Sequence, residues 1–255
     1  MLETWKRYTL PARIRRSARR LLDLDDEFIH LRTALTELDN VEELRKVFGW
    51  KLEPVLDDDS IYEFESIEDI NLRRVRDAEC IGTIVRNTSP SVCLDIGTAE
   101  GRSAALMAVN APKSRVITVN IPPEEIHSGE GGVLTTVAFE REKIGSYYRK
   151  RNLTNVEQIL ANTASWEPNI GTIDVALVDG CHDTDFVYHD SRKVLKCMKP
   201  GSFLLWHDFN FDLVDKKAWI REVCLGVEKL IGAGLVKGPI LHVRNSWLGI
   251  YKIPG

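Results

Sequence analysis

From residue 92 onward, short apolar runs rich in Val, Ile and Leu alternate with stretches of helical spacing. That alternation predicts repeated strand–helix–strand units and a mostly parallel sheet. Strands are expected at 92–96, 116–119, 156–160, 173–178 and 203–206, with two more at about 240–243 and 248–253. Only Arg244 to Trp247 separates the last two, so they should close as an antiparallel hairpin. The expected fold class is α/β: a seven-stranded, mostly parallel sheet with a C-terminal antiparallel hairpin, helices on both faces and an N-terminal helical extension.

Before residue 73 the pattern is helical and charged. Leu31, Leu35 and Leu38 are spaced as one helix face. Asn40, with Glu43 three residues on, predicts the start of a short helix carrying Val41, Leu44 and Val47 and ending at Gly49. Ser66 with Asp69 opens a longer helix through Ile70, Val75, Ala78 and Ile81, stopped before Pro90, and Pro54 to Asp59 reads as a loop. Residues 1–72 are thus expected as the extension and 73–255 as the sheet domain, with an insertion at about 122–150. Within it, 122–132 reads as a solvent loop or a lid and 133–150 as helical. His127, Tyr147, Tyr148 and Arg149 are candidates there for acceptor contacts or for packing.

Composition narrows the classes. Of 255 residues, 44% are hydrophobic and 28% charged, the balance of an ordinary globular chain. A net charge of −4 gives no electrostatic reason to expect nucleic acid as a partner. No apolar run approaches the roughly 18 residues of a membrane span, and Trp5 to Tyr8 interrupt any leader-like stretch. Five scattered cysteines, none in a C-x-x-C arrangement, suit a reducing cytoplasm. Arg13, Arg15, Arg16, Arg19 and Arg20 crowd together as an anionic-partner patch or a solvated helix face; Asp23, Asp25, Asp26 and Glu27 offset them and favour the second.

The most informative stretch runs from Val92 to Ser103. A buried strand ends in Asp95, a turn follows with Gly97 and Gly101, and a helix starts near Arg102. Glycines let backbone approach a ligand without a Cβ in the way. About twenty residues on, where nucleotide-binding α/β folds usually place a ribose-binding acid, the chain has Asn120. An amide both donates and accepts but lacks the charge. The fourth and fifth strands run into Asp179-Gly180-Cys181-His182 and His207-Asp208-Phe209-Asn210. Adjacent strands lie about 4.8 Å apart. Asp179 and Asp208 should therefore point into one small space, with His182 and His207 beside them. Two such carboxylates repel unless a proton or cation lies between, and a hard divalent ion such as Mg²⁺ would resolve the repulsion.

The glycine turn resembles motif I of S-adenosylmethionine-dependent methyltransferases, and the strand count resembles the Rossmann-like class I fold. The second half is similar to the metal-dependent O-methyltransferases acting on macrolide sugars and to cephalosporin-hydroxylase-like proteins. The shared elements are Asp179 with His182, Asp190, the Lys199-Pro200-Gly201 turn and Asp208. The resemblance spans about 73–252. It implies S-adenosylmethionine as cofactor, contacted at Asp95, Gly97, Thr98, Gly101, Asn120, Asn162 and Asp179. Asp95 would lie near the methionine portion and Asn162 near the adenine amine. It also implies methyl transfer to a small hydroxylated acceptor, a sugar or natural-product intermediate, with a metal on Asp179, His207 and Asp208. His207 stands where relatives often have the first of two acids, which softens the site toward Mn²⁺ or Zn²⁺.

His182 is the expected catalytic proton acceptor, three residues after a ligand. Plainer roles stay open: Asn162 capping a turn, His182 bonded to backbone, Asp208 and His207 capping a helix, and no metal at all. His189 and His242 read as structural. A nicotinamide-dependent oxidoreductase would need a third glycine in the turn and an acid at 120, and both are missing; a non-catalytic binding protein is the other alternative.

Overall fold

The computed structural model describes residues 27–56, 70–126 and 139–255. The Arg13–Arg20 cluster, the Ser66 and Asp69 helix start, the end of the 54–59 loop, His127 and the first third of the expected 133–150 helix lie outside the described residues. In chain order the elements are α1 (Ile29–Ala34), β1 (Leu35–Leu38), α2 (Val41–Phe48), α3 (Ile70–Thr88), β2 (Val92–Ile96), α4 (Arg102–Asn110) and β3 (Arg115–Asn120). Then come α5 (Ser146–Lys150), β4 (Val156–Leu160), β5 (Ile173–Val178), α6 (Thr184–Leu195), β6 (Met198–His207), α7 (Ala218–Gly232), β7 (Ile240–Val243) and β8 (Leu248–Lys252). Short 3₁₀ turns lie at Pro123–Glu125 and Phe211–Leu213.

The sheet order is β1-β7-β8-β6-β5-β2-β3-β4. The expected seven strands are all present: β2 to β6 pair in parallel, and β8 is antiparallel to both β6 and β7. An eighth strand is added at the edge. Leu31, Leu35 and Leu38 do not share a helix, because α1 stops at Ala34 and Leu35–Leu38 pairs in parallel with Ile240–Val243. The open edge of β7 offers that backbone a ladder, which outweighs the local helical spacing. Hence the segment before residue 73 contributes to the sheet itself.

Alternation along the strands divides the core between two faces. Leu94, Ile96, Ala176, Val178, Leu204 and Trp206 pack toward α6 and α7, against Val187, Val223 and Val227. Cys93, Val175, Leu177, Phe203 and Leu205 pack on the other side, against Ile81, Ile84, Ala105 and Met107 of α3 and α4. Helices therefore cover both faces, as burial of a parallel sheet requires. Among the described residues no helix is long and apolar enough to cross a membrane.

Local signals explain several boundaries. Asn40 accepts from the Glu43 amide at 3.0 Å while Glu43 accepts from the Asp39 amide at 2.7 Å, and Gly49 closes α2 in the left-handed region. The described end of the insertion holds only the five-residue α5, since Gly145, at φ 69°, sits before it as a left-handed break. Asp190 is a brace in this structure. It accepts from Thr163 at 3.1 Å, and its neighbour Lys193 donates to the carbonyls of Thr163 and Trp166 at 2.7 and 2.8 Å.

Burial raises the Asp190 carboxyl to about 6, so the fold prefers its neutral form. The resulting penalty sets in as pH rises past the ordinary carboxylate range and is complete above about 6. Asp190→Asn, which can still accept from Thr163, should be more stable than the parent at pH 7.5 by up to ~3 kcal/mol. Urea denaturation at pH 7.5 and 4.5 checks this, with the difference shrinking at the lower pH.

Candidate active site

The glycine turn is fixed by the strands on either side. The amides of Gly97 and Thr98 donate to Val119 O at 2.8 and 3.3 Å, and the Asp179 amide donates to Ile96 O at 2.8 Å. Gly97, at φ 105°, lies against the Asp179 backbone: a Cβ there would come within 1.9 Å of Asp179 O. A Cβ on Gly101 would meet the Tyr148 ring at 2.6 Å. The close approach that demands glycine is thus made by the protein's own atoms. The insertion docks here too, since the Gly145 and Tyr147 amides donate to Ala99 O and Glu100 O, each at 2.9 Å. Tyr147 faces the cavity described below, whereas Tyr148 and Arg149 pack the insertion.

Three expected cofactor contacts are occupied with bracing this turn and its neighbour. Asp95 is fully buried and accepts from Ser103 at 3.0 Å and Thr118 at 2.7 Å. Burial raises its carboxyl to about 7. Asn120 accepts from the Ala99 amide at 3.1 Å and donates to Ile121 O at 2.8 Å. Asn162 accepts from the Ala164 amide at 3.0 Å, the turn-capping alternative. None of the three lines the cavity.

Beyond the ends of β5 and β6 the paired acids meet as expected. His182 Nε2 lies 3.0 Å from Asp208 Oδ2 and 3.6 Å from Asp179 Oδ1. His207 Nδ1 lies 2.9 Å from Asp179 Oδ1 and 3.4 Å from Asp208 Oδ2, without the angles of a hydrogen bond. Asp208 is buried at φ 53°, a strained conformation for a residue with a side chain. Helix capping does not explain it, because Asn210 caps the following 3₁₀ turn by accepting from the Asp212 amide at 3.1 Å. Burial alone would push both acids up. His207 and His182 together outweigh burial, holding Asp179 below and Asp208 well below the usual carboxylate range. Burial likewise opposes charge on the imidazoles, yet Asp179 and Asp208 lift His182 to about 9 and His207 well above the ordinary histidine range.

The two histidines occupy different places. Donor atoms of Asp179, His182 and Asp208 all lie within 4.8 Å of one another, the set that could hold a metal ion. His207, the expected ligand, instead opens on a cavity of about 550 Å³ together with Asp179. Gly97, Thr98, Gly101 and Ser103 form one wall of this cavity, and Arg73, Arg74, Asp77 and Ile81 of α3 form the other. The sequence reading missed Arg73 and Asp77. Asp77 Oδ2 is 3.2 Å from His207 Nε2, and its other oxygen accepts from the Trp247 amide at 2.7 Å. Arg73 Nη1 reaches His207 Nε2 at 3.3 Å and stacks over Trp247. Their spacing of four places both on one helix face, but nothing local links them to a site more than a hundred residues away. His242 is structural, with Nδ1 3.0 Å from Leu248 O, and His189 is exposed on α6.

A parallel sheet ending in an antiparallel hairpin, with a glycine turn and a carboxylate opening on one cavity, has the architecture of the Rossmann-like class I methyltransferases. Residues 94–209 match the family model of a methyltransferase domain, a span that includes the glycine turn, Asp179, His182 and Asp208. Over that span the chain is similar to methyltransferase domains. Solved structures share its fold. The O-methyltransferase NovP is 12% identical with a TM-score of 0.53, covering 70% of this chain and 78% of its own. TomG, an O-methyltransferase of Streptomyces achromogenes involved in tomaymycin synthesis and solved with S-adenosylmethionine, is 15% identical with a TM-score of 0.52, covering 89% and 96%. The methyltransferase PaMTH1 of Podospora anserina, bound to S-adenosylhomocysteine, is 14% identical with a TM-score of 0.50, covering 97% of both chains. No curated protein sequence matches this chain.

Gly97→Ala should cost about 3 kcal/mol, combining a forced left-handed backbone with the clash at Asp179. Gly201→Ala has a similar φ but open space around it and should cost only about 1 kcal/mol. Thermal unfolding of the two variants separates the clash from the backbone cost; equal losses would mean that the contact with Asp179 is immaterial.

Proposed function

We propose that this chain is an S-adenosylmethionine-dependent O-methyltransferase that methylates a small hydroxylated acceptor, a sugar or natural-product intermediate, with the help of a divalent ion. The observation carrying the proposal is the single cavity onto which the glycine turn, Asp179 and His207 all open. Its volume of about 550 Å³ suits a small ligand. All five cysteines are free, in keeping with a cytoplasmic setting.

The donor set fits an ion. Two carboxylate oxygens and an imidazole nitrogen converge at Asp179, Asp208 and His182, and a nitrogen donor favours Mn²⁺ over Mg²⁺. S-adenosylmethionine would supply the methyl group on a sulfonium, and the ion would lower the pKa of the acceptor hydroxyl. The protein contributes position, holding both reactants against a wall fixed by the strand ends. His207 replaces His182 as the proposed proton acceptor, because it opens on the cavity and His182 does not. Asp179 and Asp208 draw a proton onto His207, so the ring must first lose that proton before it can accept one from the acceptor, a loss that a cation held by the two acids would favour. Base and ion are therefore coupled.

Labelled methyl transfer from S-adenosylmethionine to a panel of polyols and catechols tests the reading. Transfer should fall by about 100-fold or more in EDTA and in Asp208→Asn, and return with Mn²⁺ only in the parent. Electron paramagnetic resonance, which needs no acceptor, should show Mn²⁺ bound by the parent and released by Asp208→Asn and His182→Ala. Transfer unaffected by EDTA, with no Mn²⁺ bound, would remove the metal from the proposal.

A further inference from the structure

The cavity wall opposite the glycine turn carries charge that methyl transfer itself does not require. Arg73 and Arg74 are consecutive on α3, and Asp77 follows on the same helix, all three lining the cavity with Asp179 beyond. The arginines are not equivalent. Arg73 is stacked over the Trp247 ring, with Nη1 3.3 Å from His207 Nε2. Arg102, across the cavity, is paired with Glu100 at 3.3 Å and stacked on Tyr147 at 4.5 Å. Arg74 is exposed and has no carboxylate or other polar partner among the described residues. It lines the same cavity as Ser103 and the glycine turn, with Asp77 one helical turn further along α3.

A cation and carboxylates so placed complement an α-amino-acid zwitterion, whose carboxylate and ammonium sit on one carbon. Guanidinium binds carboxylate with two parallel hydrogen bonds, a match that a lysine ammonium lacks. We propose that Arg74 is the binding residue for the carboxylate of the cofactor's methionine end, with the partly exposed Asp179 carboxylate on the side of its ammonium. This rests on the cofactor reading above and would place the amino-acid end against α3. Arg74 thereby selects intact S-adenosylmethionine and S-adenosylhomocysteine over nucleosides that lack the amino-acid end.

Calorimetric titration with two probes tests the assignment. S-adenosylhomocysteine carries the zwitterion, and 5′-methylthioadenosine keeps the nucleoside and sulfur but lacks it. Arg74→Gln should weaken S-adenosylhomocysteine binding by about 10- to 100-fold and leave 5′-methylthioadenosine binding unchanged. Arg74→Lys should recover part of the loss. Since Arg74 is exposed on a helix surface, both variants should keep the parent's unfolding midpoint. If Arg74→Gln binds S-adenosylhomocysteine as the parent does, or weakens both probes alike, the assignment is wrong while the cofactor reading stands. If the parent binds neither probe, the cofactor reading falls and takes this assignment with it.

Discussion

Asp179 and Asp208 leave neighbouring parallel strands at the same end, so the topology forces two buried carboxylates into one space. That arrangement is unfavourable unless positive charge lies between or beside them. His182 and His207 supply it, at 2.9 to 3.6 Å from the acid oxygens. The rest of the site follows from holding this charge balance. Asp208 adopts a left-handed backbone to keep its place, Gly97 lacks a side chain because the Asp179 carbonyl occupies that volume, and Asp77 reaches across from α3 to the far side of His207. Three of these four groups, Asp179, Asp208 and His182, could hold a cation once His182 releases its proton.

Much of this was legible in the sequence because it lies in local pattern. Alternating apolar runs mark strands that must bury both faces, and a residue that ends one strand sits beside the residue that ends its neighbour. Asp179 and Asp208 needed nothing more. The edge strand Leu35–Leu38 was hidden, since its leucines fit a helix equally well and only the open edge of β7 decides between them. Arg73 and Asp77 were hidden for a different reason: a helix face bears no sign of what will pack on it.

The glycines and amides show a subtler limit of residue type. Residue type indicated a special environment at Gly97, Gly101, Asn120 and Asn162, and each environment is special. What the type could not say is whether ligand or protein fills it. Gly97 and Gly101 admit Asp179 and Tyr148, and both amides hold turns. His182 and His207 likewise both belong to the site, but which one meets the cavity is set by the direction each leaves its strand, and spacing alone does not fix that.

The account holds that the carboxylate cluster and the cofactor's reactive end share one cleft. Nuclear magnetic relaxation of the ¹³C-methyl group of bound S-adenosylmethionine, with and without Mn²⁺, tests this most directly. A methyl signal strongly broadened by stoichiometric Mn²⁺ is the predicted result. A bound methyl signal that Mn²⁺ leaves sharp would place cofactor and acids apart and contradict the account.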